Sequence, residues 1–289
     1  MGGFATIIAE QRDGVLRLTL NRPAVRNAMS LEMVGELRAA LRAAEAGGSV
    51  RVIVLRGAGG TFCSGGDISD MAKARGAEPQ GGSDPIAEVS RAFGELCAAF
   101  SRTGLAVVAV VEGAAMGGGF GLACVSDVTI AAPGAKFGLP ETGLGLVPAQ
   151  IVPLLMERLG AGQTRRLAVI GGFVGAEEAL AIGLAHEVAK DVDAALEATL
   201  ARILACAPEA LAATKALIRQ ARLEPAEALV GHAAEVFAAA VRGAEGIEGM
   251  KAFLEKRKAA WVLPSPRSRG EGARRADEGP DPTSGENQV

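Results

Sequence analysis

The stretch Thr61-Phe62-Cys63-Ser64-Gly65-Gly66-Asp67-Ile68 decides how this chain is read. Just before it, Val50 to Leu55 is a nearly continuous apolar run, the mark of a strand buried on both faces. Just after it, Ile68 to Ala74 has a helical pattern. Two glycines between a buried strand and a helix let the backbone approach a ligand closely, with amide hydrogens pointing at it. A plain strand-to-helix turn would use the same residues. A second copy of the arrangement adds weight to the ligand reading. Gly113-Ala114-Ala115-Met116-Gly117-Gly118-Gly119-Phe120-Gly121 follows the apolar run Val107 to Val111, and a helix starts inside it and runs to Cys124. A helix N-terminus carries free amides and partial positive charge, which favour developing negative charge. Two such loops on neighbouring strands would make a two-amide oxyanion hole.

Working outward, Ile7–Ile8 and Val15–Leu20 predict two short strands around a turn at Arg12-Asp13-Gly14. Ser30 precedes an amphipathic helix with Met33, Leu37 and Leu41 on one face, stopped at Gly47-Gly48. Gly76 to Pro85 is polar and rich in Gly and Pro, so a mobile loop is expected there. Ala87 to Ser101 reads as a helix and Val128 to Ala131 as a third strand. From Pro153 onward the pattern is helical: Pro153–Leu159, Gln163–Ile170, Ala176–Ala181, Val192–Cys206, Glu209–Gln220, then segments near Pro225–Arg242 and Gly246–Lys258. Strands alternate with helices first and helices alone come after, which predicts an α/β core and a helical C-terminal part. The expected division is a core over 1–200, a helical region over 201–263 and a disordered tail over 264–289. That tail is rich in Pro, Ser, Gly, Arg and Glu and cannot repay its ordering entropy.

Composition narrows the function classes. Hydrophobic residues make up 49 % of the 289, enough for a real core, but aromatics are only 3 %, with no Tyr. The core must be built from Ala, Val, Leu and Ile. The formal net charge of −3 gives no support to a nucleic-acid partner. Cys63, Cys97, Cys124 and Cys206 are far apart and lack CxxC spacing, so all four read as buried small hydrophobes in a reducing compartment. Residues 1–10 lack a signal-peptide pattern, and the longest apolar stretch, Leu105 to Val111, is far short of the roughly 20 residues a membrane helix needs. A cytoplasmic protein without a membrane partner is expected.

Several catalytic templates fail. There is no GxxxxGK[ST], and Gly119-Phe120-Gly121-Leu122-Ala123-Cys124 breaks GxGxxG at its last position. Ser64 is not in GxSxG, and His186 and His232, the two histidines, read as surface or packing residues. No Cys/His cluster points to a metal. One carboxylate stands out. Glu141 follows Phe137-Gly138-Leu139-Pro140 and is flanked by glycines. On such a loop, near apolar walls, a carboxylate can have a raised pKa and exchange protons. A surface glutamate would look the same in sequence.

Four ordered motifs carry a resemblance. Asn21-Arg22-Pro23 with Asn27-Ala28, Phe62-Cys63-Ser64-Gly65-Gly66-Asp67-Ile68, Gly117-Gly118-Gly119 and Phe137-Gly138-Leu139-Pro140-Glu141 resemble the crotonase (enoyl-CoA hydratase/isomerase) superfamily over about residues 5 to 260. The resemblance implies an α/β spiral of ββα repeats with helical trimer-forming elements at the C-terminus. It implies an acyl-CoA thioester substrate, no separate cofactor, and a homotrimer or dimer of trimers. The oxyanion-hole amides would be those of Gly66 and Gly118, and Glu141 would be a catalytic carboxylate. Ala24, Val25, Arg26, Ser64, Asp67, Ile68 and Ser69 match positions that line CoA. The departure is Gly121, where a two-carboxylate hydratase has its other glutamate. Three functions stay open: hydration with Glu141 alone, a Δ3-Δ2 isomerase with Glu141 as proton shuttle, and a non-catalytic acyl-CoA binder. The strings Gly117 to Asp127 and Phe137 to Thr142 look like isohexenylglutaconyl-CoA hydratases, which favours hydration of a branched, glutaconyl-type ester. The acyl group is expected to be shaped by Ala72 to Pro85 and the helix after it.

Overall fold

The computed structural model describes residues 3–79 and 82–262. The expected tail over 264–289 lies outside them. Strands β1 (Ile7–Arg12), β2 (Val15–Leu20), β3 (Val52–Gly57), β4 (Ala106–Val111), β6 (Val128–Ala131) and β9 (Glu187–Val188) form one sheet in that order. A smaller sheet holds β5 (Ala114–Met116), β7 (Lys136–Gly138) and β8 (Phe173–Gly175). In the large sheet only the β1–β2 pair is antiparallel, as a hairpin on Asp13-Gly14; the rest is parallel. Parallel central strands are covered on both faces, and β4 is buried at every position. Val107, Ala109 and Val111 face one core, while Ala106, Val108 and Val110 face the other.

The helices are α1 (Leu31–Gly47), α2 (Ile68–Gly76), α3 (Pro85–Arg102), α4 (Gly118–Val125), α5 (Val152–Ile170), α6 (Ala176–Ala181), α7 (Val192–Ala205), α8 (Pro208–Ala221), α9 (Ala226–Arg242) and α10 (Ala244–Leu254). The expected caps form. Ser30 accepts a hydrogen bond from the Met33 amide at the start of α1, and Gly48 ends it in the left-handed region. In α5, Gly160 is non-helical, which matches the two segments read from sequence.

The spiral is visible in the order of elements. β4, β5 and α4 make one turn, and β6, β7 and α5 make the next. In the turn before them, β3 leads to Cys63, which bridges in parallel to Ala115 of β5. This is the expected crotonase-type α/β fold with a helical C-terminal part. The region after Pro153 is not purely helical, however. β8 joins the small sheet and β9 the large one. Each is two or three residues long, too short to show a strand period. Three cysteines are buried as expected, but Cys206 is exposed where α7 ends.

Candidate active site

The site is built by one parallel register. Cys63 pairs with Ala115, and Ala115 pairs with Phe137. The Cys63 amide donates to Ala114 O (2.9 Å), and the Met116 amide donates to Cys63 O (2.9 Å). Three residues past Cys63 stands Gly66, three past Ala115 stands Gly118, and four past Phe137 stands Glu141. The ladder therefore delivers all three to one place, and all three line one cavity of about 290 Å³. Among the described residues, neither the Gly66 nor the Gly118 N–H finds a protein acceptor. Gly118 is the first residue of α4, so its amide is one that the helix cannot satisfy.

Close packing explains the glycines around it. Gly117 has φ +47°, and a Cβ there would sit 2.8 Å from Glu141 Oε1. A Cβ on Gly119 would lie 2.6 Å from Cys63 Cβ, where the two loops touch. Cys63 is packing rather than chemistry, because burial pushes its thiol pKa up to about 11.

Glu141 is half-buried and set by a turn in which Leu144 and Leu146 amides donate to its backbone oxygen. Its Oε2 is buried without a hydrogen-bond partner among the described residues. Desolvation raises its pKa above the usual carboxylate value, against a smaller lowering by its own backbone N–H. Such a group is poised for proton exchange. Gly121 packs against α3. A Cβ there would lie 2.9 Å from Phe93 Cζ and 3.6 Å from Cys97 Sγ, so the Phe93 ring of α3 occupies the space in front of it.

The other expected positions come together on the outer side. Ala24 and Val25 lie in a 3-10 turn over Pro23–Val25, and Arg26 follows with φ 52°. The Ser64 amide donates to Arg26 O, and Ser64 Oγ donates to Val25 O (3.2 Å). Ala24, Val25, Arg26, Ile68 and Ser69 are exposed. Asp67 lines the cavity, but its carboxylate is committed. It accepts from Ser69 N and Oγ and from Arg22 Nη1. Those bonds, led by the Ser69 hydroxyl, hold its pKa at about 2.

Some roles escaped sequence reading. Asn27 is fully buried and ties two loops, donating to Ala58 O and Thr61 O while accepting from the Arg22 amide. The cavity wall includes Ala74 of α2 and Ile86, Val89, Ser90 and Phe93 of α3, and also the run from Leu146 to Ile151, which the sequence did not mark. His186 is a packing residue as read. It accepts from the Thr129 amide, and burial beside Arg158 drops its pKa to about 4.

The sequence profile described as Enoyl-CoA hydratase/isomerase matches residues 10–263. The chain belongs to this family of enzymes. An enoyl-CoA hydratase/isomerase from Marinobacter aquaeolei superposes with TM-score 0.86 at 49 % identity, covering 89 % of this chain and 99 % of that one. Pseudomonas aeruginosa AtuE superposes with TM-score 0.85 at 52 % identity, covering 90 % and 100 %. The 2,3-dehydroadipyl-CoA hydratase of Escherichia coli is 31 % identical over 258 residues, 88 % of this chain and 97 % of its own. In this member of the enoyl-CoA hydratase/isomerase family, two glycine loops and the carboxylate of Glu141 line one cavity. Among the described residues no helix is long and apolar enough to cross a membrane, and no group of three His, Cys, Asp or Glu gathers as metal ligands would.

Proposed function

We propose that the chain is a hydro-lyase that adds water across the double bond of an α,β-unsaturated acyl-CoA, of branched, glutaconyl-type structure. The observation that carries this is the buried, unpartnered Glu141 Oε2 in one cavity with the free amides of Gly66 and Gly118. The thioester carbonyl accepts hydrogen bonds from both amides. Glu141, ionised, takes a proton from water as the water oxygen bonds to C3. The π electrons move toward C1 and give an enolate held by the two amides. The same Glu141 then returns its proton to C2, so one carboxylate balances the reaction and Gly121 needs no counterpart. Preorganised donors of this kind are each worth about 10²–10³ in rate.

The hydratase named for 2,3-dehydroadipyl-CoA supports a hydration reaction and a thioester with a second carboxylate. The residues from Gly117 to Asp127 and Phe137 to Thr142, similar to isohexenylglutaconyl-CoA hydratases, support the branched acyl group. The substrate CoA would lie over Ala24, Val25, Arg26, Ser64, Asp67, Ile68 and Ser69, and no separate cofactor takes part.

The test is mass spectrometry of products in ¹⁸O-water with straight 2-enoyl, 3-enoyl, methylglutaconyl and isohexenylglutaconyl thioesters. A labelled hydrate of a glutaconyl ester is the expected result. A rearranged product of unchanged mass would make Glu141 a C2–C4 proton shuttle and the chain an isomerase. Binding without turnover of any ester would sink the catalytic reading.

A further inference from the structure

Most polar groups on the cavity wall are already committed. Ser30 caps α1, Asp67 is tied to Arg22 and Ser69, and Asp70 accepts from the Leu31 amide. Besides Glu141 and the Ser30 hydroxyl proton, two remain: Ser90 on α3 and Gln150 just before α5. Gln150 Nε2 donates to Ser90 Oγ over 3.2 Å. Among the described residues that is the one hydrogen bond either side chain makes, so the Ser90 hydroxyl proton and the second Gln150 amide hydrogen are free to donate.

The placement of Gln150 is built into α3. A Cβ on Gly94 would lie 2.2 Å from Gln150 Oε1 and 2.7 Å from its Cδ. A helix-interior glycine costs about 1 kcal/mol relative to alanine. At position 94 the bare backbone is what lets the Gln150 amide lie across the helix. The remaining wall near the pair is apolar, with Val89, Phe93 and Ile151, and among the described residues no Lys, Arg or His lines the cavity. The two free donors are therefore neutral, joined to each other and flanked by apolar side chains, the arrangement that selects a ligand bearing a matching acceptor.

We propose that Ser90 and Gln150 are a specificity pair that receives an oxygen acceptor carried on the acyl chain beyond the reacting double bond, the second carboxylate of a glutaconyl-type ester being the expected one. The inference rests on the acyl-CoA reading above and is tested by binding rather than turnover. Calorimetry would compare glutaryl-CoA, its methyl ester and 5-methylhexanoyl-CoA, a hydrocarbon of the same shape. In Gln150→Leu, glutaryl-CoA should weaken by about 10- to 100-fold, the range for a hydrogen bond to a charged group, while 5-methylhexanoyl-CoA stays within about twofold. Gly94→Ala, which keeps both side chains but displaces Gln150, should reproduce the pattern. Loss for the acid alone identifies a carboxylate site; loss for acid and methyl ester identifies a site for any oxygen acceptor. Equal change, or no change, across the three ligands overturns the pair while leaving the acyl-CoA reading intact. Failure of all three to bind the unmodified protein would instead overturn that reading.

Discussion

The space facing Gly121 can be tested as a packing problem. Replacing Gly121 with alanine adds one methyl 2.9 Å from Phe93 Cζ and 3.4 Å from Cε1, where carbon atoms prefer about 3.5–4.0 Å. The ring must retreat by roughly half an ångström or more. Overpacking of this kind costs about 1–3 kcal/mol. Against it, alanine within α4 gains about 1 kcal/mol of helix propensity over glycine. The net expectation is a destabilisation of about 0–2 kcal/mol. With Phe93→Ala in the background the clash is gone and only the helix gain remains, so Gly121→Ala should then stabilise by about 1 kcal/mol. The coupling between the two sites is thus about 1–3 kcal/mol. Urea unfolding of the four proteins, at one protein concentration, measures it directly. If Gly121→Ala has the same effect in both backgrounds to within about 0.5 kcal/mol, Phe93 does not occupy that space and the reasoning is wrong.

Four further outcomes follow from the site. Gly66→Pro deletes the amide and should lower kcat by about 10²–10³, whereas Gly66→Ala keeps it, because the added methyl meets only the mobile end of Met71; equal activity of the two variants would remove that amide from the mechanism. Because burial raises the Glu141 pKa, its base form, and with it kcat, should grow as pH rises through that elevated value. The same shift means the folded state holds the proton more tightly than the unfolded chain, so its stabilising contribution is present at low pH and lost as pH rises through the folded pKa. Glu141→Gln should therefore raise Tm more at pH 8 than at pH 4, and a pH-independent difference would contradict the burial argument. Asp67 is the opposite case, with a pKa depressed to about 2. Asp67→Ala should cost about 0.5–2 kcal/mol near neutral pH through the lost cap, and the gap to the unmodified protein should close as pH falls from about 4 toward 2 in thermal melts.

What sequence could reveal depended on how local each signal was. Ser30 and Gly48 announce α1 because capping is decided within a few residues. The run at β4 announces itself because both faces are buried. β5, β7, β8 and β9 did not, since two or three residues show no period and their pairing is set by distant neighbours. The same limit applied to the site. Glycine loops and Glu141 stand out along the chain. Phe93 opposite Gly121, and Gln150 over Gly94, are complements between segments about 28 and 56 positions apart, and nothing local marks them. Cys206 misled because composition speaks of cysteines in general and not of one at the end of a helix.

The ladder through Cys63, Ala115 and Phe137 also dates the moment at which the chain becomes competent during folding. Its rungs join residues 52 and 22 positions apart, and each closes a loop whose entropy must be met before the contact rewards it. No single turn of the spiral contains more than one of Gly66, Gly118 and Glu141. Secondary structure can therefore form turn by turn while these three residues remain scattered, and they meet only when the third turn docks on the second.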